Sequence, residues 1–205
     1  MPLARLPGRL RPAHHDLYRF NRWSRRGFWR AILAALAEAG WVAETAALDS
    51  TCGHTVRRTA QKGAKAQAIG RSRGGQTTKV HVLADVLGRP TVIHLTPGNS
   101  SDVSAAADVL AQAPGRMRRL LADRGYDASA LRRELRQSGT TPVIPGRRNR
   151  KRAIRHDARR YRDRWRIEAA ICRLKDFRRV ATRYDKLAVN FASGVALAAI
   201  VAFWC

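Results

Sequence analysis

The order of strand-like and helix-like segments is the feature that most constrains the fold of this chain. Two β-rich runs, Thr78 to Ala84 and Thr91 to Thr96, flank the turn residues Asp85 to Pro90 and predict a hairpin. Helices and strands then alternate, with a helix from Asp102, a strand ending at Asp123, a helix after Asp127, a strand over Thr141 to Ile144 and a helix around Tyr161. This order predicts an α/β domain in which helices cover a mixed sheet.

Residues 1–44 precede this alternation and differ from it in composition. The first fifteen residues, MPLARLPGRLRPAHH, combine Pro, Gly and Arg without a sustained period and predict a loose basic arm. Apolar residues then recur at helical offsets from Leu17 to Leu36, around a break at Gly27, and stop near Gly40. We therefore expect a short helical segment before the α/β domain, which would occupy residues 45–205.

The charge of the chain is far beyond what solubility requires. Forty Lys and Arg residues against fifteen Asp and Glu give a formal charge of +25 and a pI near 11.7. The basic residues are interleaved with apolar segments, so they decorate a folded body rather than a disordered tail. This balance predicts a polyanionic partner, and nucleic acid is favoured over a membrane surface.

The C-terminal segment from Leu187 to Cys205 is almost continuously apolar and approaches the length of a membrane span. Its Asn, Ser and Gly residues and its excess of Ala favour a buried helix instead. The three cysteines, Cys52, Cys172 and Cys205, are odd in number and far apart, which indicates a reducing compartment rather than a disulfide framework. We therefore predict a cytoplasmic protein without a membrane anchor.

Three carboxylates are the candidate catalytic groups. Asp49 and Asp123 each end a short apolar run, and side chains at strand ends line a crevice in a sheet of this kind. Glu168 lies far downstream on a helix, so folding must bring the three together. Oxygen ligands of this type suit Mg²⁺ or Mn²⁺, and we predict that all three bind catalytic metal ions. Asp85, Asp102 and Asp127 are instead interpreted as turn and helix-capping residues.

Glu168 belongs to a pattern of four residues at helical spacing. Tyr161, Arg164 and Lys175 stand seven residues before, four before and seven after it, which places all four on one helical stripe. Arg164 and Lys175 are predicted to hold DNA phosphates, and Tyr161 to stack or hydrogen-bond beside them. A solvated charged helix, with Tyr161 simply packing, is the alternative for these three residues.

The Tyr-x2-Arg-x3-Glu-x6-Lys pattern resembles the signature of bacterial insertion-sequence transposases of the IS5 family, within the IS4-like DDE group. The resemblance extends through ALDST around Asp49, GRSRGGQTTK, the LADRGYD block with Asp123, VIPGRRNRK, and FRRVATRYDK after the signature. It covers the chain from about Leu17 to the C-terminus. The opening MPLARLPGRLRPAHH does not match, so residues 1–44 are interpreted as the remnant of an N-terminal DNA-binding region.

This resemblance implies an RNase H-like fold and a function. Asp49, Asp123 and Glu168 would bind the metal ions, and a DNA transposase would cleave and transfer strands of an insertion sequence in a metal-dependent reaction. Double-stranded DNA is the expected partner, both as terminal inverted repeats and as target, and a homodimer on DNA in the bacterial nucleoid is expected. The basic loop before the signature is predicted to contact DNA through Arg147, Arg148, Arg150 and Lys151. The alternative is a catalytically silent or truncated remnant that only binds DNA.

Overall fold

A mixed β-sheet with helices on both faces forms the centre of the protein, and the structure, a computed structural model, describes residues 13–56 and 67–205. The strands are β1 (Thr45–Thr55), β2 (Gly70–Ser72), β3 (Gly75–Ala84), β4 (Pro90–Pro97), β5 (Arg119–Ala122), β6 (Thr141–Val143) and β7 (Thr182–Arg183). The helices are α1 (Ala13–Arg25), α2 (Phe28–Gly40), α3 (Asp102–Leu110), α4 (Ser129–Gln137), α5 (Ala158–Tyr161), α6 (Trp165–Asp176), α7 (Arg178–Ala181) and α8 (Ala188–Phe203). The prediction of a mixed sheet flanked by helices, with a short helical N-terminal segment, is confirmed. The narrower RNase H-like assignment stays a prediction.

Strand β1 is the central strand of the sheet. It pairs antiparallel with β3, which in turn pairs antiparallel with β4, whereas β5 is parallel to β1 and β6 is parallel to β5. The short strand β2 pairs with the first residues of β3, and the short strand β7 pairs with the last residues of β1. The predicted hairpin is confirmed as β3 and β4, and Asp85 lies in its turn, where its Oδ1 accepts from the backbone N–H groups of Leu87 and Arg89 at 2.9 Å each.

The first strand is longer than its apolar run indicates. The sequence predicts that it ends at Asp49, but β1 continues to Thr55, so Asp49 lies in the middle of the strand and the prediction was wrong. The reason is tertiary, because β3 begins at Gly75 and its residues Thr77 to Lys79 pair with His54 to Cys52. Pairing with a long partner overrides the polar composition of this stretch.

Two apolar clusters lie on opposite faces of the sheet. One joins the sheet to α2, α6 and α8 and includes Ala47, Val82, Ile171 and Phe191, while the other lies under α3 and α4 and includes Leu48. Because successive side chains of a strand point to opposite faces, Asp49 shares the face of Ala47 with α6. The residue after it, Ser50, shares the face of Leu48 with α3.

The apolar C-terminal segment forms the buried helix α8, as predicted. Nine of its residues are buried against the sheet and the neighbouring helices, including Phe191, Val195 and Ile200. Throughout residues 13–56 and 67–205, no helix is long and apolar enough to cross a membrane.

Helices α1 and α2 contact each other and are joined through Gly27. The φ of Gly27 is 71°, a left-handed conformation that glycine adopts without strain. Helix α2 buries Leu33 and Ala37 against the core that contains α8. The predicted arm MPLARLPGRLRPAHH lies largely outside the described residues, as does part of the basic segment after β1. The division into residues 1–44 and 45–205 stays a prediction.

Candidate active site

The three predicted carboxylates lie on three different elements. Asp49 is on β1, and Asp123 is the first residue after β5. The parallel pairing of Leu48 with Ala122 places Asp123 beside Asp49 at the next position along the two strands. Glu168 lies in the first turn of α6, and its side chain is 55% exposed. Sheet pairing therefore brings the two aspartates together, and packing of α6 places Glu168 on the same face of the sheet.

Arg164 connects the strand carboxylate to the helix carboxylate. Its Nη2 donates to Asp49 Oδ2 at 2.8 Å, and its Nη1 donates to Glu168 Oε1. The side chain is only 14% exposed, and its Nε has no hydrogen-bond partner within the part of the chain that the structure describes. One cation thus stands between two of the three acids.

Burial raises the pKa of Asp49, and the effect exceeds the lowering by the Arg164 guanidinium and by the Ser50 N–H that donates to Oδ1 at 2.8 Å. The negative charge of Asp123 raises the pKa of Asp49 further. The pKa of Arg164 is raised because the nearby Asp49, Tyr161, Glu168 and Asp123 outweigh its burial. One guanidinium leaves the site with an excess of negative charge, so it favours additional positive charge.

The ligand chemistry of these residues fits a hard divalent cation, since all three offer carboxylate oxygens. Among residues 13–56 and 67–205, however, no three His, Cys, Asp or Glu side chains form a group arranged to hold a metal ion. The physical reason at this site is Arg164, which lies between Asp49 and Glu168. The assignment of Asp49, Asp123 and Glu168 as metal ligands stays a prediction.

The signature stripe is not one regular α-helix. A 3₁₀ turn, Arg162–Arg164, separates α5 from α6, which differs from the single helix that the spacing predicts. Because a 3₁₀ turn has three residues per turn, Tyr161 and Arg164 still share a side. Tyr161 is half-buried, packs against the core and lies edge-on to His156 at a ring distance of 5.4 Å. Lys175 is exposed near the end of α6.

The basic loop after β6 is tied down at two of its four predicted DNA contacts. Arg150 donates to Asp127 from Nε at 2.6 Å and from Nη2 at 2.9 Å, and the Arg147 side chain donates to the carbonyls of Arg124 and Gly125. Arg148 and Lys151 are exposed. Arg147 is exposed as well, but its side chain is held by these carbonyls. The four DNA contacts stay predictions.

One structural interpretation of an aspartate was wrong, and a second, that of Asp102 near the start of its helix, is confirmed but incomplete. Asp127 does not cap α4, whose N-cap is Ala128, because its carboxylate is fully engaged by Arg132, Arg150 and the Arg147 N–H. Asp102 does begin α3, but the N-cap is Ser101, and the Asp102 carboxylate reaches across to Ser50 on β1 and Lys79 on β3. Sequence reasoning missed both sets of contacts because their partners are distant in the chain.

Comparison with known proteins identifies the class. Residues 40–203 match the family model described as "Transposase DDE domain", and the chain belongs to this family. The family uses divalent metal ions. The prediction of a bacterial insertion-sequence DDE transposase is thereby confirmed, whereas the narrower assignment to the IS5 family stays a prediction.

Two curated relatives are transposases by name. The chain is 34% identical over 126 residues to a protein assigned as the transposase of insertion sequence element IS6501 from Brucella ovis, covering 60% of this chain and 94% of that one. It is 33% identical over 128 residues to one assigned to IS402 from Burkholderia cepacia, covering 58% of this chain and 57% of that one. The chain therefore spans little more than half the length of the second relative.

Solved structures with some likeness to this one are also transposases. A piggyBac transposase synaptic complex with hairpin DNA is 12% identical, with a TM-score of 0.43, over 68% of this chain and 30% of that chain. A Mos1 transposase paired-end complex is 17% identical, with a TM-score of 0.33, over 69% of this chain and 45% of that chain. The family model and the curated relatives, rather than these distant structures, carry the identification.

Proposed function

We propose that this transposase domain cleaves the DNA ends of an insertion sequence and joins them to target DNA in a reaction that depends on Mg²⁺ or Mn²⁺. Asp49, Asp123 and Glu168 would hold the metal ions. The observation that carries the proposal is the convergence of Asp49 and Glu168 on one cation, Arg164, with Asp123 directly after the strand that pairs beside Asp49. Three carboxylates from separate parts of the fold thus lie near one guanidinium.

The residues around Arg164 have the properties that a metal-dependent phosphoryl transfer needs. When bound, divalent ions would activate the attacking water or 3′-hydroxyl and stabilise the leaving oxygen. Asp49 would supply an oxygen from a rigid central strand, and Glu168 would supply one from an exposed helical position. Arg164 would be able to exchange a carboxylate partner for a DNA phosphate, because metal ions would neutralise the carboxylates in its place.

Contact with DNA would come from exposed basic residues of the loop after β6 and of α6. Arg148, Lys151 and Lys175 are exposed, and the chain carries a formal charge of +25. Phosphate contacts of this kind fix the position of the duplex without selecting its sequence. Arg147 and Arg150 would act mainly by holding the loop in shape, and Tyr161 would pack beside the bound strand.

An element has two ends, so two copies of the site are needed for paired cleavage, and we propose a homodimer on double-stranded DNA. The terminal inverted repeats and the target DNA would be its partners, and the bacterial nucleoid in the cytoplasm its location. Family membership and the presence of all three acids favour this function over a catalytically silent DNA-binding remnant.

The test is an assay of the purified chain on duplex DNA that carries the terminal inverted repeats of the element. Metal-dependent nicking at the repeat ends, followed by joining to a second duplex, is expected for wild type. Glu168→Gln should lose both products, whereas Asp176→Asn, which changes an exposed acid on the same helix, should retain them. Wild-type protein that binds the duplex but produces neither product would support the silent remnant.

A further inference from the structure

A fourth carboxylate, that of Asp102, lies near the proposed site, on the face of the sheet opposite Arg164. Asp102 Oδ1 accepts a hydrogen bond from the Ser50 hydroxyl at 2.5 Å and lies 3.1 Å from Lys79 Nζ. Lys79 Nζ also donates to the Ser100 carbonyl at 2.7 Å. Since Ser50 directly follows Asp49, this contact ties the first turn of α3 to the part of β1 that carries the catalytic aspartate.

The other oxygen of Asp102 lies against the turn that holds Asp123. The Gly125 N–H donates to Asp123 Oδ1 at 2.8 Å. A Cβ atom at Gly125 would stand 2.8 Å from Asp123 Oδ1 and 3.1 Å from Asp102 Oδ2, so both carboxylates approach this glycine closely. Asp102 therefore accepts a hydrogen bond from the residue after Asp49 through one oxygen, and its other oxygen lies close to the turn that donates to Asp123.

Buried polar side chains lie next to these contacts. Tyr126 is 1% exposed, its hydroxyl lies 3.5 Å from His81 Nδ1, and His81 Nε2 lies 2.8 Å from Thr96 Oγ1. Burial raises the pKa of Tyr126, and the charges of Asp102 and Asp49 raise it further. Burial also lowers the pKa of His81 to about 4, so this ring is neutral at physiological pH. Satisfied buried polar contacts of this kind limit alternative side-chain positions.

We infer that Asp102 is a positioning residue for the proposed reaction, which holds Asp49 through Ser50 and packs against the Gly125 turn that holds Asp123. The inference rests on the proposed function. Lys79 neutralises the extra carboxylate, so its charge does not compete with the catalytic acids. Partners that orient metal ligands in this way commonly change metal affinity or activity by about 10- to 100-fold when removed.

A simple capping role does not account for these contacts. The N-cap of α3 is Ser101, and the Asp102 carboxylate is directed to side chains of β1 and β3. Asp108 on the same helix offers a matched comparison, because its side chain is 69% exposed and its ion-pair partner is His94 at 3.8 Å. A favourable charge near the helix N-terminus would not require a bond to Ser50.

The experiment measures Mn²⁺ affinity of the full chain by electron paramagnetic resonance, without DNA, together with single-turnover cleavage of the repeat ends. Asp102→Ala should weaken Mn²⁺ binding about tenfold or more and slow cleavage by a similar factor, with duplex affinity unchanged. Asp102→Asn keeps an oxygen that accepts from Ser50 and should bind Mn²⁺ within about threefold of wild type. Asp108→Ala should match wild type.

A double-mutant cycle tests the route through Ser50. If the Ser50–Asp102 bond transmits the effect, Ser50→Ala combined with Asp102→Ala should be no weaker in Mn²⁺ binding than Asp102→Ala alone. Wild-type Mn²⁺ affinity in Asp102→Ala would overturn the inference and leave the proposed function intact. Equal losses in Asp102→Asn and Asp102→Ala would also overturn it. Wild-type protein that binds no Mn²⁺ would contradict the proposed function and this inference together.

Discussion

Asp127 and Asp49 both accept hydrogen bonds from arginines, yet their environments shift the pKa of the carboxyl group in opposite directions. Asp127 is fully buried and accepts four hydrogen bonds, from Arg132, from the Arg147 N–H and twice from Arg150. Burial alone would raise its pKa, but these donors lower it well below the usual range. Asp49 has one arginine contact and one backbone donor, and burial raises its pKa.

The difference separates a structural carboxylate from a candidate catalytic one. Asp127 has no remaining need for a cation, so it serves to fasten the basic loop to α4. Ionisation of Asp49 has a cost that its present partners do not offset, so an added cation is favourable there. Carboxylates whose pKa is shifted by burial and by a neighbouring carboxylate concentrate at functional sites.

The largest expected effect is on folding stability. Asp127→Ala leaves the buried Arg132 and the half-buried Arg150 without their acid, so the free energy of unfolding should fall by about 3–5 kcal/mol. Asp49→Asn removes a charge that burial disfavours and leaves Arg164 its contact with Glu168, so its effect on the free energy of unfolding should be clearly smaller. Urea denaturation of both variants measures this difference. Similar losses in the two variants would remove the distinction between the sites.

The next effect is on the pH dependence of stability. The folded-state pKa of Asp127 is below the ordinary value of 3.8, so its contribution is present above that value and is lost as pH falls below it. The pKa of Asp49 is above 3.8, so its ionised form lowers stability at neutral pH and this cost disappears as pH falls toward 3.8. Urea titrations of Asp127→Asn and Asp49→Asn against wild type, from about pH 7 to about pH 3, should therefore give difference curves of opposite sign.

The smallest effect is on DNA affinity. Arg148 and Lys151 are free to reach phosphates, so alanine at either position should lower the log–log salt slope of duplex binding by about 0.9. Arg150→Ala should change the slope less, because this side chain is occupied by Asp127, and should instead reduce folding stability. Fluorescence anisotropy at several salt concentrations compares the three. A full change of slope in Arg150→Ala would show that the loop is rearranged on DNA.

Local patterns predicted much of the fold. The hairpin of β3 and β4, the strand before Asp123 and the buried helix α8 each follow from apolar runs bounded by turn residues, and the structure contains all three. The family assignment came from the spacing of Tyr161, Arg164, Glu168 and Lys175, which survives the 3₁₀ turn within it. Signals that depend on neighbours in the chain were therefore sufficient for the elements.

Contacts between distant residues were not predictable in this way. The length of β1 depends on pairing with β3, the role of Asp127 depends on Arg150, and the role of Asp102 depends on Ser50 and Lys79. Each of these aspartates stands at a position where a cap or turn is the ordinary local explanation. Only the folded chain shows which acids are saturated by partners and which remain available for a ligand.

The most direct test of the proposed active site compares cleavage and stability of Asp49→Asn with those of wild type in the same preparations. We expect Asp49→Asn to lose Mg²⁺-dependent cleavage of the repeat ends, while duplex binding persists and the free energy of unfolding falls by less than in Asp127→Ala. Retained cleavage in Asp49→Asn would show that this carboxylate is not part of the catalytic site.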